Sequence, residues 1–264
     1  MRIMAIVHNP TVDTLLTRRT IRAFEDTPIS EDEDERETLE RAAQQAATSQ
    51  YFNAWSAIRI SDKVVAQRLA EIGNQPYIAQ APLLYIFIID DHRNLRIARE
   101  AGVAEDTITL DSDYTFTQGQ NDAVLALHAM ETAAEPLGLG AVILGSILND
   151  QQAVIDLLDL PERTFPVLGL AIGRPSQQPQ IKPRMDRSLQ FFENRYPADS
   201  EIESMTEALH DFDEEVKKYY DLRNPNTPVM AFTEHIASQA ADTGRLTRAF
   251  GKPAREQGFT GRSF

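Results

Sequence analysis

Hydrophobic and polar positions recur with two periods along this chain. Leu39, Ala42, Ala43 and Ala46 fall at helical spacing and predict a helix that runs to about Ala47. Its start is marked by Ser30 with Glu33, the spacing of a capping box, and Glu31, Asp32 and Asp34 suit the positive end of a helix dipole. The acidic run reads as a solvated first turn, with a partner-binding tail as the alternative. A second helix is predicted from about Asn121 to Leu137, where Ala123, Leu127, Met130, Ala134 and Leu137 form one stripe rich in alanine, suited to close packing in a core or a dimer interface. Helical patterns also cover 202–220 and about 230–241.

Four short runs read as strands: 57–60, 83–89, 141–144 and 166–172, the last three apolar enough to be covered on both faces. Helices and strands are interspersed without regular βαβ spacing, so the expected class is α+β with one central sheet. The stretch RPSQQPQIKPR at 174–184 has three prolines and three basic residues, which predict a stiffened, exposed loop. From Asp221 onward, Asn-Pro-Asn and Thr-Pro breaks and few large apolar residues predict an arm without a core of its own.

Composition narrows the chemistry. The 264 residues, 42% hydrophobic, can bury a substantial core within one domain. There is no cysteine, which excludes a disulfide framework, a thiolate metal site, a redox dithiol and a cysteine nucleophile; electrons, if they move, move on a bound cofactor. The first residues lack the apolar stretch of a signal peptide and the longest apolar run, Pro82 to Ile89, is too short to span a bilayer, so the expected compartment is the cytoplasm. A formal net charge of −14 argues against nucleic-acid binding and makes the placement of the 26 Lys and Arg residues informative.

The five histidines form no HExxH-like pair and no GxSxG elbow occurs, so neither a histidine metal site nor a serine triad is expected. Gly138 and Gly140 follow a predicted helix, the reverse of a dinucleotide fingerprint. Gly138 reads as a helix cap, Gly140 as easing entry into the strand, and Gly145 with Ser146 as backbone able to approach a flat ligand. The segment Arg18-Arg19-Thr20-Ile21-Arg22 packs three guanidinium groups and a hydroxyl into five residues. It reads either as a phosphate clasp or as a solvated basic turn paired with nearby acids. Lys182 and Arg184 form a second basic cluster. Residues 245–264 form a third, with net +4 on a chain whose remainder carries −18, and read as an anion site or a solubilising tail.

Seven motifs, in order, carry a resemblance over nearly the whole chain: RRTIRAF at 18–24 followed by TPIS, ATSQYFNAWS at 47–56, GNQPYIAQAP at 73–82, AAEPLGLGAVILGSILN at 133–149, FPVLGLAIGRP at 165–175, KPR at 182–184 and YYDLR at 219–223. On these the chain resembles the nitroreductase superfamily, specifically the bacterial oxygen-insensitive NADPH nitroreductases and flavin reductases. The resemblance implies a nitroreductase-like fold with a central mixed, mostly antiparallel sheet flanked by helices. It implies a single domain over 1–264 with a C-terminal extension from about 197–264, and a homodimer with FMN at the interface.

It further implies that Arg18, Arg19, Thr20 and Arg184 hold the FMN phosphate and that Arg22 and Lys182 face the pyrimidine edge. Thr48, Ser49, Gln50 and Asn53 of one subunit would contact the ribityl chain and ring held by the other, and Gln75, Leu144, Gly145 and Ser146 would line the isoalloxazine. Arg223 would meet the 2'-phosphate of NADPH, favouring NADPH over NADH. The flavin N5 carries the chemistry, so no protein acid or base is catalytic, and ping-pong two-electron reduction of nitroaromatics, quinones or free flavins follows. Thr20 stands where serine is commoner, which keeps the hydroxyl, and Ser146 replaces the second glycine of a Gly-Gly pair, which puts a side chain beside the ring. The rivals are reductive dehalogenation or flavin cleavage on the same scaffold, and a non-enzymatic flavin-binding redox sensor. The Lys-Pro-Arg motif and the long arm favour the reductase.

Overall fold

The computed structural model describes residues 6–29, 33–202, 204–219, 229–248 and 250–261; the Ser30 capping box and Arg223 lie outside them. The chain parts into two units, Met1–Gln177 with Arg248–Phe264, and Gln178–Thr247.

The first unit is built on strands β1 (Trp55–Arg59), β2 (Leu83–Asp90), β3 (Gly140–Leu144) and β4 (Thr164–Gly173), in the order β1-β2-β4-β3 with every neighbour antiparallel. The α+β expectation holds. The parallel component is confined, among the described residues, to a bridge between Thr20 and Ala141 on the outer edge of β3. β2 is buried from Leu83 to Ile89, which is why it reads as an unbroken apolar run, whereas β1 at the edge is half-buried. Pro166 is tolerated in β4 because β3 pairs only with Gly169–Gly173, so one side of the strand is free at the proline.

Around the sheet lie α1 (Pro10–Thr17), α2 (Glu33–Gln44), α3 (Lys63–Gly73), α4 (His92–Glu100), α5 (Asp113–Ala134) and α6 (Gln151–Leu157). α5 starts two turns before the apolar stripe, because Ser112 caps it by accepting from the Thr115 amide. α1, α3, α4 and α6 go beyond the apolar pattern. Caps are the better signal for three of them: Asn9 accepts from Val12 N ahead of Pro10, Asp62 from Val64 N and Asp150 from Ala153 N. Gly138 caps a helical turn in left-handed geometry, φ 73°, as expected. Gly140 has a different role from easing strand entry, since a Cβ there would lie 2.4 Å from the Ile21 side chain.

The chain returns to this unit at its end. α10 (Gly251–Glu256) precedes Phe259, whose buried ring meets Phe116 edge-on at 5.1 Å, and Thr260 donates to Asp111 at 2.7 Å. Residues 250–261 are therefore packed, and the tail reading fails for them. The second unit contains α7 (Met205–Ala208), α8 (His210–Lys218) and α9 (Phe232–Ala240). The helix predicted over 202–220 is divided at Leu209, a buried residue. Asp213 accepts from the amide and the hydroxyl of Thr233, and the rings of Phe212 and Phe232 meet at 5.3 Å, which joins α8 to α9. Residues 174–184 form no regular element, as their prolines predict.

Candidate cofactor site

The RRTIRAF segment runs along the open edge of β3. Ile21 N donates to Ala141 O at 2.9 Å, Glu25 N to Arg174 O at 2.8 Å, and Ile21 and Phe24 press on glycines 140 and 173, where a Cβ would come within 2.4 and 2.6 Å. Two apolar anchors thus fix the backbone around Arg22, with Arg18 and Arg19 just ahead of the first of them. Arg18 is committed: its Nε donates to Glu131 at 2.7 Å, its Nη2 lies 2.5 Å from the same oxygen, and its Nη1 donates to Thr20 Oγ1 at 3.3 Å. The Arg19 amide donates to Glu135 at 3.3 Å. The guanidinium groups of Arg19 and Arg22 have no partner among the described residues, and Arg22 Nε is buried as well. Arg19 is exposed, so the buried Arg22 Nε is the group that points to an acceptor supplied from elsewhere on this acidic chain.

The second element is the loop at 48–53. Gln50, Tyr51 and Asn53 have φ of 49°, 61° and 48°, a left-handed run that costs on the order of 1–2 kcal/mol for each non-glycine residue. The surroundings enforce it. Asp122 on α5, itself buried, accepts from Ser49 N at 2.7 Å and from Ala54 N at 3.2 Å; Gln50 Nε2 donates to Tyr114 Oη at 3.0 Å, and Arg93 donates to the carbonyls of Asn53 and Trp55. Tyr51 is 86% exposed and Phe52 46%. Strain maintained in this way, to present aromatic side chains outward, is characteristic of a binding surface. α5 therefore carries both segments, with Asp122 and Glu131 roughly 14 Å apart along its axis.

Beneath the loop, Asp91 is fully buried. Burial raises its pKa to about 6, with Asp90 and Asp122 adding to the rise, while the Asn94 amide and Arg163 oppose it. Asp91 Oδ2 and Gln118 Oε1 lack partners among the described residues and border a cavity of about 30 Å³ under Ser49 and Gln50, room enough for a water.

The third element lies at the end of β3. Gln75 Oε1 accepts from Tyr77 Oη at 2.7 Å and from Ser146 Oγ at 2.8 Å, which leaves the Gln75 amide protons without an acceptor among the described residues. The Ser146 hydroxyl is thus engaged. A Cβ on Gly145 would meet nothing within 4 Å, so the backbone there faces open space. The Leu144 side chain is buried against Gly169, and only its backbone can face a ligand. Thr48 is half-buried and makes no cap bond. In the second unit Lys182 and Arg184 are exposed, Arg184 donating to the carbonyls of Lys182 and Pro183 at 2.9 and 3.0 Å. Sequence reasoning missed Asp122, Glu131 and Asp91; the visible signal was an acid inside an otherwise apolar helical stripe, at 122 and again at 131.

The fold and the site define a class: an α+β protein whose antiparallel sheet, backed by one long helix, carries arginines without partners among the described residues and a strained aromatic loop. The chain belongs to the nitroreductase family, whose signature matches residues 15–174, with the family's C-terminal domain matching 182–262. It is 36% identical over 232 residues to the oxygen-insensitive NADPH nitroreductase of Salmonella typhimurium, covering 86% of this chain and 90% of that protein. It is 33% identical to an NADPH-dependent oxidoreductase of Staphylococcus aureus, covering 86% and 89%. Among solved structures it superposes on B. megaterium NfrA1 with a TM-score of 0.85 at 32% identity, covering 95% and 99%. It also superposes on the NADPH:FMN oxidoreductase of Vibrio harveyi in complex with NAD+, with a TM-score of 0.82 at 25% identity, covering 97% and 100%. Among the described residues no helix is long and apolar enough to cross a membrane, and no group of three or more side chains is arranged to ligate a metal.

Proposed function

We propose that this chain is an FMN-dependent NADPH oxidoreductase that reduces nitroaromatics, quinones or free flavins two electrons at a time, working as a cytoplasmic homodimer with FMN at the interface. The observation that carries the reading is the partly buried Arg22, whose Nε has no partner among the described residues, close to the exposed Arg19 on a strongly acidic chain. FMN fits what the residues offer: an anion for the free arginines, acceptor atoms for the Gln75 amide and a flat ring over the open backbone at Gly145.

When bound, FMN would supply the two-electron redox chemistry that links the nicotinamide donor to the second substrate. The protein binds and orients. Arg19, Thr20 and Arg184 would take the phosphate, with Arg18 held by Glu131 beside Thr20, and Arg22 and Lys182 would set fixed positive charge at the pyrimidine edge, which favours the added electrons. Thr48, Ser49, Gln50 and Asn53 contact the ribityl chain and ring across the dimer. Gln75 donates to the ring, and Leu144, Gly145 and Ser146 line it through backbone. Arg223 holds the 2'-phosphate of NADPH. No side chain is required as acid or base, so the pocket needs shape and charge more than a tuned proton donor. Purified protein should be yellow and release FMN when denatured. A colourless protein that FMN cannot reconstitute would remove this reading.

A further inference from the structure

Glu131 is 4% exposed in its side chain, sits in the apolar stripe of α5 and meets two partners: the Arg18 guanidinium through Oε1 and, through Oε2, the Nδ1 of the exposed His128 at 3.3 Å. A carboxylate is costly to place there unless its partners hold it, and here it holds them in turn. The Arg18 fork is fixed by two contacts to one oxygen, which orients its remaining Nη1 toward Thr20 Oγ1. A hydroxyl that accepts from a guanidinium directs its own proton elsewhere, and nothing among the described residues accepts the Thr20 proton.

We propose that Glu131 and Arg18 are positioning residues, a relay that holds the Thr20 hydroxyl as a donor to the phosphate of the bound cofactor. Direct charge on that phosphate then comes from Arg19 and Arg184, while Arg18 acts through Thr20. The proposal rests on the FMN reading above and adds a role for a buried acid at some distance from the ligand. Its chemistry makes a specific demand: the relay matters for FMN and is silent for riboflavin, which lacks the phosphate.

The test is titration of flavin-free protein with FMN and with riboflavin, followed by quenching of flavin fluorescence. Thr20→Val should raise the FMN dissociation constant about tenfold, the loss expected for one hydrogen bond to a charged group. Thr20→Ser should restore it, and riboflavin binding should stay unchanged in both. Glu131→Gln should reproduce the tenfold loss for FMN, and Thr20→Val should add less than about twofold on top of it, since both remove one interaction. If an unpaired Arg18 unfolds the Glu131→Gln protein, Arg18→Met with Glu131→Leu removes both charges together and should show the same selective loss. Equal losses for FMN and riboflavin, additive losses, or tighter FMN binding once Glu131 is neutralised would each overturn the relay, the last because it would mean that Glu131 withholds Arg18 from the phosphate. Wild-type protein that bound neither flavin would instead remove the FMN reading, and the relay with it.

Discussion

The loop at 48–53 and the segment at 182–184 carry the same kind of assignment, contact with one cofactor, and are built in opposite ways. The first is fixed in left-handed geometry by a buried aspartate, an arginine and a tyrosine on neighbouring elements. The second is exposed, and Arg184 bonds to carbonyls of its own loop. Precision and reach are thus separated. Groups that must meet a ring or phosphate at a set position are held by a helix and a strand edge, while an exposed basic loop can add charge with little effect on the fold.

The sharpest way to break that contrast is Asp122→Ala. It strands the amides of Ser49 and Ala54 and releases the loop, and should cost about 3–5 kcal/mol in urea unfolding of flavin-free protein. Arg184→Ala should cost less than about 0.5 kcal/mol in the same assay. Comparable losses would erase the distinction.

Asp91 gives the next effect, with the opposite sign. Its folded pKa of about 6 lies above the ordinary 3.8, a difference worth roughly 3 kcal/mol at most. Above pH 6 the group is ionised in both folded and unfolded chains and its burial cost is fully present. As pH falls from 6 towards 4 the folded chain takes up a proton the unfolded chain does not, and the cost fades. Asp91→Asn should therefore stabilise the protein at pH 8 and lose its advantage by about pH 4, read from thermal midpoints across that range. A constant difference at all pH values would place the effect in packing instead.

A smaller loss is expected from Gly140→Ala, which pushes a methyl group against Ile21. About 1–3 kcal/mol of stability should go, and FMN affinity should fall with it, because the arginine segment moves. In the second unit Thr233→Val should cost about 1 kcal/mol by removing the hydroxyl bond to Asp213, with FMN affinity unchanged. A drop in affinity for Thr233→Val as large as that for Gly140→Ala would mean the two regions are not independent.

The same contrast governs what the sequence reveals. Strands β2, β3 and β4 are legible because burial on both faces leaves unbroken apolar runs, and the stripe of α5 because it faces the sheet. α4 hides because only Leu95 of its residues is buried, so its pattern is mostly polar. The basic cluster at 18–22 stands out by charge alone. Its division into a paired Arg18, and Arg19 and Arg22 without partners among the described residues, does not, since the pairing depends on a carboxylate 113 positions away on α5. Strain in the 48–53 loop is equally silent, as no glycine marks the left-handed positions at Gln50 and Tyr51.

The most direct test of the central claim is anaerobic rapid mixing of FMN-loaded protein with NADPH, followed by a nitrofuran or quinone. Complete loss of the flavin absorbance with NADPH and its return on adding the acceptor, one electron pair delivered to the acceptor for each NADPH consumed, is the expected result. Flavin absorbance that neither NADPH nor NADH bleaches would contradict it and leave a flavin-binding sensor in its place.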